Sequence, residues 1–451
     1  MIQLKYGLDD RPPAGAMMLL GLQWFAIAIP VIVIIGKIAG EIHSGSPAAQ
    51  VLYLQKMAFV MAAALFLQVF WGHRLPLIIG PSTILLVGIV TSREFGPSTI
   101  YTAMIVGGGL LAFLSATGLF GLLRGLFTTR VVACVLLLIA FTLLPTAMNL
   151  ILKTPDPSAV PSNLFFAIGL IAAAFILHRC LKGVWKSTLI VWVMLAGSAL
   201  HLAVMPAAPD AMSGAALFSG FWGDWLRGFD FNPGVLISFV ICYMALSIND
   251  LGSIESVNEL LKPGREQQRV TRGIFLTGLA NVASGFLGVI GPVNFSLSPG
   301  VISSTGCASR YTLLPAAGLL LVLSFSPATI LLAGRVPAVV IGGVFLYILC
   351  AQVAAGLSVA CESSSEYRFT DGLILGLPVL IGTLIAFMPA EVLRSFPGVL
   401  RPVIGNGFVV GILAAFFLEH VIFREEKKNR SDGVRGDPSD PSMGLSGGKT
   451  V

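Results

Sequence analysis

Long apolar runs, separated by short stretches that contain charges, Pro, Gly or Asn, fill most of the chain. The first run, 15–36, contains no charged residue and is long enough to cross ~30 Å of hydrocarbon as a helix. The predicted spans are 15–36, 50–71, 77–93, 99–122, 129–151, 161–178 and 187–205 in the first half, and 233–254, 271–291, 292–307, 311–333, 336–358, 370–389 and 399–423 in the second. The pattern therefore predicts an all-α polytopic membrane protein with 14 transmembrane segments.

Two of these spans, 77–93 and 292–307, are interrupted by Pro, Gly and hydroxyl residues and resemble each other. The segment "LIIGPSTILLVGIVTS" (Leu77–Ser92) matches "GVIGPVNFSLSPGVISS" (Gly288–Ser304), and "GLLAFLS" further on matches "GLLLVLS". With seven spans in each copy, an odd number, the second copy must cross the membrane in the opposite direction to the first. The chain is thus predicted to consist of two inverted seven-span repeats, an arrangement typical of secondary transporters.

Each broken span predicts a short extended piece followed by a half-helix, because irregular backbone survives at membrane depth only where protein or a wet cavity satisfies it. In span 10, Ser298 suits the N-cap, which would leave the N–H groups of Gly300 and Val301 facing the cavity without a partner. In span 3, the expected cap is Ser82 or Thr83. Two half-helix N-termini, each carrying roughly half a positive charge, would then face one central site. Two helices merely kinked by Pro and Gly are the alternative.

The composition indicates that much of the protein's surface faces lipid rather than water. Of 451 residues, 56% are hydrophobic and 11% charged, whereas an average soluble protein has about 25% charged residues. Charged clusters flank the apolar runs, as in "HRCLKGVWK" (His178–Lys186), so the net charge of +6 requires no nucleic-acid partner. With both termini in the cytoplasm, most of the 28 Lys and Arg residues fall on the cytoplasmic side, as the positive-inside rule requires.

No motif in the sequence indicates an enzyme. We find no Walker motif, no nucleophile with its base and no metal-ligand cluster, and the six cysteines, which lack CxxC spacing, are interpreted as buried thiols. The glycine-rich segment Gly107–Gly118 lacks a following Lys-Ser/Thr and predicts close helix packing. All five histidines fall near span ends and are interpreted as interfacial. We therefore predict no cofactor and no metal, and only a proton or another cation as coupling ion.

Several motifs resemble those of the nucleobase–ascorbate transporters, the family of xanthine and uracil permeases. The resemblance extends over residues 6–423, from the preamble "YGLDDRPP" to the end of the last span. In "GLQWF", Gln23 stands where the family's first span carries a glutamine. In "LPLIIGPST", Pro76, Gly80 and Ser82 keep the family's Pro-x-x-x-Gly-x-Ser pattern.

The second half is similar to the family with two departures. "TRGIFLTGLANVASGFLG" resembles the ninth span, and "FSLSPGVISSTGCASRY" keeps the Gly300 and Thr305 frame of the tenth. However, the eighth-span carboxylate, which in the family holds the base and helps to couple protons, is Asn249 in "SINDLGSIESVNEL". The family's Gln or Glu at the start of the tenth half-helix aligns with Leu297 or Ser298.

The resemblance implies a core domain that rocks against a gate domain, often within a homodimer. The implied segments are a cytoplasmic N-terminus (1–14), core spans 1–4 (15–122), gate spans 5–7 (123–232), core spans 8–11 (233–334), gate spans 12–14 (335–423) and a disordered cytoplasmic tail (424–451). It also implies a permease of a bacterial inner membrane that moves a nucleobase-like solute, such as xanthine or uracil, by alternating access with proton symport.

The residues that we expect to carry this function cluster in spans 1, 3, 8 and 10. Asn249 and Ser253 lie on one helix face and offer an amide and a hydroxyl, although they could instead join neighbouring helices. Asp250 is the carboxylate left well inside span 8, and since burial disfavours the charged form it is a candidate proton carrier, with a purely structural aspartate as the alternative. The predicted substrate-binding residues are Gln23, Ser82, Thr83, Asn249, Ser253, Ser296, Ser298, Gly300 and Val301.

Two other functions stay open at this point. A small-anion transporter of the sulphate-permease type has a similar seven-plus-seven fold, and half-helix N-termini without nearby carboxylates suit an anion. That family usually carries a soluble regulatory domain, for which the tail after Arg424 is too short. The second alternative is a transport-inactive homologue that acts as a sensor or scaffold.

Overall fold

The computed structural model describes residues 4–43, 46–154, 156–204, 216–223, 225–226, 228–362 and 369–423. The predicted cytoplasmic tail, 424–451, lies outside the described residues. In chain order the helices are α1 (Ala14–His43), α2 (Pro47–Phe70), α3 (Thr83–Thr91), α4 (Gly96–Ala116), α5 (Phe120–Leu126), α6 (Thr129–Thr142), α7 (Leu144–Leu152), α8 (Val160–Cys180), α9 (Gly183–Ser187), α10 (Leu189–Val204), α11 (Pro233–Leu261), α12 (Glu266–Leu287), α13 (Ser298–Thr305), α14 (Leu313–Ser324), α15 (Pro327–Gly334), α16 (Ala338–Glu362), α17 (Phe369–Ala386), α18 (Ala390–Arg394), α19 (Arg401–Ile404) and α20 (Gly407–Phe417), which continues as a π-helical turn, Leu418–Ile422. Short 3₁₀ turns occupy Arg93–Phe95, Pro157–Ala159 and Arg310–Thr312.

Helices long and apolar enough to cross a membrane dominate the described residues. Nine helical stretches meet this criterion, and the bent pair Arg310–Ser324 and Pro327–Gly334 makes a tenth. Two shorter apolar helices, Leu189–Val204 and Gly407–Ile422, correspond to predicted spans 7 and 14. The half-helices α3 and α13 supply spans 3 and 10. The prediction of an all-α polytopic membrane protein is therefore confirmed, and every predicted span contains at least one helix.

Several predicted boundaries differ from the structure. The first helix ends at His43 rather than at residue 36, because residues 37–43, which follow the apolar run, also form regular helical turns. Predicted span 11 is two helices that meet at 94°. The second of them, α15, starts at Pro327, which suits a first turn but cannot continue a preceding helix.

The helices pack in two groups. In the first, α4 packs on α12 and α2 packs on α14, and α1, α3, α11 and α13 join them. In the second, α16 packs on α6, α7 and α8, while α17 packs on α20 and α6. The helices named in the first group come from predicted spans 1–4 and 8–11, and those named in the second come from predicted spans 5, 6 and 12–14. A relative movement of the two groups stays a prediction.

Small residues allow α4 and α12 to approach closely. A Cβ atom added at Gly108 would lie 2.9 Å from the carbonyl oxygen of Gly278, and one added at Gly278 would lie 2.8 Å from the carbonyl oxygen of Gly108. Neither position has room for a larger side chain. The glycine-rich stretch of α4 therefore serves helix packing, as its sequence predicted.

Two short strands pair within the first helix group, and we call the place where they meet the strand crossing. Strand β1 (Ile79–Pro81) pairs with β2 (Pro292–Asn294) in antiparallel register, Ile79 opposite Asn294. Two further hydrogen bonds extend the pairing, from Ser82 N to Gly291 O at 3.0 Å and from Phe295 N to Ile78 O at 2.9 Å. The extended pieces predicted for spans 3 and 10 are confirmed, and the alternative of two merely kinked helices is wrong. The strand residues are all buried, and the two strands satisfy each other's backbone groups.

Candidate functional site

The half-helix α3 starts directly after β1 with a serine cap. Ser82 has extended backbone angles, and its hydroxyl accepts a hydrogen bond from Leu85 N at 3.3 Å. Its side chain is fully buried, so this hydroxyl serves the helix rather than a solute. Thr83, the first helical residue, is half-buried. Of the two expected caps, the structure therefore selects Ser82.

The half-helix α13 starts differently from the prediction. Ser298 is not its N-cap, because its hydroxyl accepts from Ile78 N at 3.1 Å and donates to Phe295 O at 3.0 Å. The N–H groups of Gly300 and Val301, expected to be unpaired, both donate to Leu297 O, at 3.1 Å and 3.4 Å. Leu297 itself has helical backbone angles, so its carbonyl points along the helix and accepts these bonds. The prediction of two free N–H groups at this end is wrong.

Solvent exposure separates the predicted substrate residues into two sets. Ser296 and Gly300 are exposed, and Thr83 and Asn249 are half-buried. A Cβ atom added at Gly300 would meet only open space. The buried members are Gln23, Ser82, Ser253, Ser298 and Val301. The first set is therefore the more accessible of the two.

Ser253 holds helix α11 against strand β2. Its hydroxyl lies 2.9 Å from Asn249 O and 3.1 Å from Asn294 O, and its side chain is fully buried. Asn249 lies one turn before Ser253 on the same face of α11, so it also faces the strand pair. Because the Ser253 hydroxyl is already engaged, Asn249 is the member of this pair with a side chain available to a solute.

Gln23 carries a polar atom without a partner. The side chain is 6% exposed, and its Nε2 atom forms no hydrogen bond with any described residue. Glu41 follows Gln23 by five full turns of 3.6 residues, so both lie on the same face of α1. Glu41 lines a cavity shared with Val90 of α3, which places this face of α1 towards α3. An unsatisfied buried donor is costly.

Asp250 is fully buried and accepts three hydrogen bonds. One carboxylate oxygen, Oδ1, accepts from the backbone N of Asn294 at 2.9 Å and from its Nδ2 at 2.7 Å. The other, Oδ2, accepts from Thr277 Oγ1 at 2.8 Å. Asp250 has no ion pair with a described Lys, Arg or His. The carboxylate therefore joins α11 to both α12 and β2.

These contacts belong to a closed ring of five buried side chains, which we call the polar ring. Its members are Gln68, His73, Asp250, Thr277 and Asn294, all at most 3% exposed. Gln68 closes the ring, because its Nε2 donates to Thr277 Oγ1 at 3.2 Å and its Oε1 accepts from His73 N at 3.1 Å. The remaining link runs between His73 Nε2 and Asn294 Oδ1, at 3.1 Å.

Sequence reasoning found only Asp250 among these five residues. The interpretation of His73 as an interfacial histidine is wrong, since it is fully buried and hydrogen-bonded through both ring nitrogens. The segment after α2 instead contacts strand β2, through the hydrogen bond between His73 and Asn294. Gln68, Thr277 and Asn294 carried a weak signal as amides and hydroxyls inside or beside apolar runs.

A cavity of about 520 Å³ lies at the other end of α3, away from the predicted residues. It is lined by Ile38, Glu41, Val90, Arg93, Glu94, Asn149 and Lys153, among others. Several of its charges pair across the two helix groups, with Lys153 Nζ 2.8 Å from Glu41 Oε2 and Arg394 Nη2 3.6 Å from Glu94 Oε1. This cavity is separate from the strand pair, beside which Thr83, Asn249, Ser296 and Gly300 are half-buried or exposed.

Comparison with known proteins indicates the same family as the sequence motifs. The family model of the xanthine and uracil permeases, described as a permease family, matches residues 15–391. A xanthine permease of Bacillus subtilis (strain 168) is 25% identical over 436 residues, covering 94% of this chain and 97% of that protein. The uric acid permease PucK of the same bacterium is 25% identical over 446 residues, covering 94% and 99%. The xanthine permease XanP of Escherichia coli (strain K12) is 23% identical over 461 residues, covering 94% and 96%.

Solved structures show the same fold at lower identity. The transmembrane domain of a cyanobacterium bicarbonate transporter, BicA, superposes with a TM-score of 0.60 at 16% identity, covering 85% of this chain and all of that one. The murine anion transporter Slc26a9 in its inward-facing state gives a TM-score of 0.58 at 11% identity, covering 92% of this chain and 69% of that one. Among the described residues, no group of three or more His, Cys, Asp or Glu could hold a metal ion. Since the family model spans most of the sequence, the chain is an integral membrane protein that belongs to the xanthine/uracil permease family.

Proposed function

We propose that this protein is a secondary transporter of a nucleobase-like solute, such as a purine or pyrimidine base, and works by alternating access. The observation that carries the proposal is the crossing of β1 and β2, where Thr83, Asn249, Ser296 and Gly300 remain accessible beside two half-helices. The relatives named xanthine and uric acid permeases support this class of solute.

The chemistry of the accessible side chains suits a neutral heterocycle. The edge of a base presents donors and acceptors side by side, and the amide of Asn249 can offer both. The hydroxyls of Thr83 and Ser296 can do the same, and exposed Gly300 lets a flat ring approach the backbone closely. The Nε2 donor of Gln23 completes the set.

The remaining parts of the proposal follow from the same family. The protein would lie in a bacterial inner membrane with both termini in the cytoplasm, function as a homodimer and move its first helix group against its second. The charge distribution of the sequence supports the cytoplasmic termini and the packing of the helices in two groups supports the relative movement, while the bacterial inner membrane and the homodimer are expected from the family alone.

We also propose that solute movement is coupled to a proton carried by Asp250. The carboxylate is fully buried and has no ion pair with a described cation, a costly arrangement that usually serves a function. Asp250→Asn should mimic the protonated form, since the new amide can still accept from Asn294 and donate to Thr277. The variant should bind and exchange solute but lose accumulation against a gradient. Uptake by the parent protein that ignores pH and uncouplers would contradict the coupling.

A small-anion transporter is the second candidate, favoured by the absence of a carboxylate among the accessible residues at the crossing. The pairing of the Gly300 and Val301 N–H groups with Leu297 weakens it, because an anion would have to compete for these donors. A thermal-shift panel of purines, pyrimidines, sulphate, chloride and bicarbonate on purified protein separates the two. A ligand at 100 times its Kd should stabilise the protein by about 2.7 kcal/mol. Binding of a base without any uptake in proteoliposomes would indicate a transport-inactive sensor or scaffold instead.

A further inference from the structure

The hydrogen bonds of His73 fix which of its nitrogens carries the proton. Leu75 N donates to His73 Nδ1 at 2.9 Å, so Nδ1 has a lone pair and no hydrogen. The hydrogen of the neutral ring therefore sits on Nε2, which donates to Asn294 Oδ1 at 3.1 Å. Adding a second proton at Nδ1 would bring it against the Leu75 N–H group. His73 is consequently a poor site for an extra proton in this fold.

The orientation of the Asn294 amide follows from this tautomer. With Oδ1 held by His73, the amide nitrogen Nδ2 must face Asp250, where it donates to Oδ1 at 2.7 Å. The backbone N of Asn294 donates to the same oxygen at 2.9 Å, and the backbone O accepts from Ser253. All four polar groups of Asn294 are thus engaged, and two of them serve Asp250.

The Thr277 hydroxyl is the reversible link of the polar ring. When Asp250 is ionised, Thr277 donates to its Oδ2 while accepting from Gln68 Nε2. A proton that binds Asp250 Oδ2 reverses this bond, because the carboxyl then donates to Thr277 and the hydroxyl turns its own hydrogen away. Protonation forms one O–H bond at Oδ2 and release breaks that same bond, while the two hydrogen bonds from Asn294 to Oδ1 persist in both states. The ring can accept or release one proton at Oδ2 without coming apart.

Among the described residues, the other ionisable side chains near the ring form their hydrogen bonds elsewhere. Arg269 of α12 donates from Nη1 to the backbone oxygens of His73 and Arg74, at 2.9 Å and 3.1 Å, outside the ring. Tyr243 of α11 donates to Asn281 of α12 rather than to Asp250. Arg74 donates through Nε to Phe70 O.

We infer that His73 is a positioning residue for proton coupling: it fixes the Asn294 amide, which in turn holds Asp250 ready to exchange its proton at Oδ2. The inference rests on the proposed coupling at Asp250. Asn294 ends strand β2, and the accessible Ser296 and Gly300 follow directly. The protonation state of Asp250 is thereby connected, through the side-chain amide of Asn294, to the strand that leads into the proposed solute site.

Two substitutions at His73 test the inference because each keeps one of its hydrogen bonds. In His73→Gln the Nε2 atom occupies the place of the histidine Nε2 and still donates to Asn294. In His73→Asn the shorter side chain can accept from Leu75 N but cannot reach Asn294. Half-buried His420, whose Nε2 lies 2.8 Å from Leu126 O, provides matched control variants His420→Gln and His420→Asn.

The readouts are proton-driven accumulation of xanthine or uracil in proteoliposomes and the pH titration of the Asp250 carboxyl, followed by its infrared carbonyl band in purified protein. Asp250→Asn identifies that band by its loss. We expect His73→Gln to keep accumulation and titration within about twofold of the parent. We expect His73→Asn to move the titration midpoint about one pH unit or more upwards, because the ionised carboxylate loses an oriented donor, and to abolish accumulation while solute still binds.

Loss of accumulation in His73→Gln with an unchanged Asp250 band would overturn the inference, because the histidine would then carry the proton itself. An unchanged titration in His73→Asn, with reduced thermal stability alone, would also overturn it and leave a structural role. The infrared titration needs no solute. If no base is taken up but the titration shifts as described, the proposed substrate fails while the positioning role of His73 holds.

Discussion

Lys153, directly after α7, and Glu41, in the last turns of α1, form a 2.8 Å ion pair that joins the two helix groups. The two side chains are 55% and 33% exposed, so the pair should contribute at most about 1 kcal/mol to the free energy of unfolding. Its effect should instead appear in the balance between conformations if the groups move apart. We therefore expect the ion pair to form in one transport state only.

The first prediction concerns this pair. Glu41→Lys or Lys153→Glu places like charges together and should change the uptake rate several-fold with little change in thermal midpoint. The double reversal, Glu41→Lys with Lys153→Glu, should restore the rate. Lys153→Met, which removes the charge without repulsion, should have an intermediate effect. A double reversal no better than either single variant would contradict a contact that matters between the groups.

The second prediction concerns Gln23. Gln23→Leu removes the donor that has no partner among the described residues, so the protein should be as stable as the parent or more stable by about 1 kcal/mol. Solute affinity should fall about tenfold, because a bound base would lose one hydrogen bond. The thermal midpoint and the Kd of the same preparation measure both effects.

Gln55→Leu is the matched control for this experiment. Gln55 is also buried, but its Nε2 donates to Ser219 O and Ser324 O, both at 3.0 Å. This variant should destabilise the protein because two carbonyl groups lose their donor. If Gln23→Leu behaves like Gln55→Leu and leaves the affinity unchanged, then Gln23 has no role in solute binding.

The third prediction concerns the accessible backbone of α13. Gly300→Val should leave folded protein in the membrane, since a Cβ atom there meets open space, but should abolish uptake by blocking close approach of a ring. Gly318→Val on α14, where a Cβ atom also meets open space, should fold and transport normally. Normal uptake by Gly300→Val would show that the tenth span does not contact the solute.

The fourth prediction separates a base from an anion as solute. Binding of a neutral base should be nearly insensitive to sulphate, chloride or bicarbonate, because no ion needs to occupy the same place. Uptake of labelled xanthine or uracil in proteoliposomes is measured against rising concentrations of each salt at constant ionic strength. Inhibition of this uptake by one of the anions, at concentrations near the Kd of that anion, would favour the anion transporter.

The membrane spans and the two extended pieces could be predicted because lipid allows few backbone solutions. A segment such as "GPVN" cannot remain helical, and an unpaired strand cannot remain in hydrocarbon, so two equivalent breaks imply a pair. The sequence also indicated Ser82 as one of two expected caps. These features depend on local sequence and on the solvent, and both can be read from the chain.

The site contacts could not be predicted because distant segments decide them. Ser298 has the sequence context of a cap, yet it binds Ile78, which lies 220 residues away. The polar ring takes Gln68 and His73 from one repeat and Asp250, Thr277 and Asn294 from the other. Its partners are set by how the helices cross, and no local pattern in the sequence specifies these pairings.

The pairing of β1 with β2 also constrains how the chain can be made. At about 5–20 residues per second, the ribosome adds the 220 residues between Ile78 and Ser298 in roughly 10 to 45 s. Throughout that interval β1 is already synthesised, but its partner strand does not yet exist. The third span must therefore wait with unsatisfied backbone groups, shielded by the insertion machinery or by neighbouring helices. The first repeat expressed without the second should accordingly be retained by chaperones or degraded.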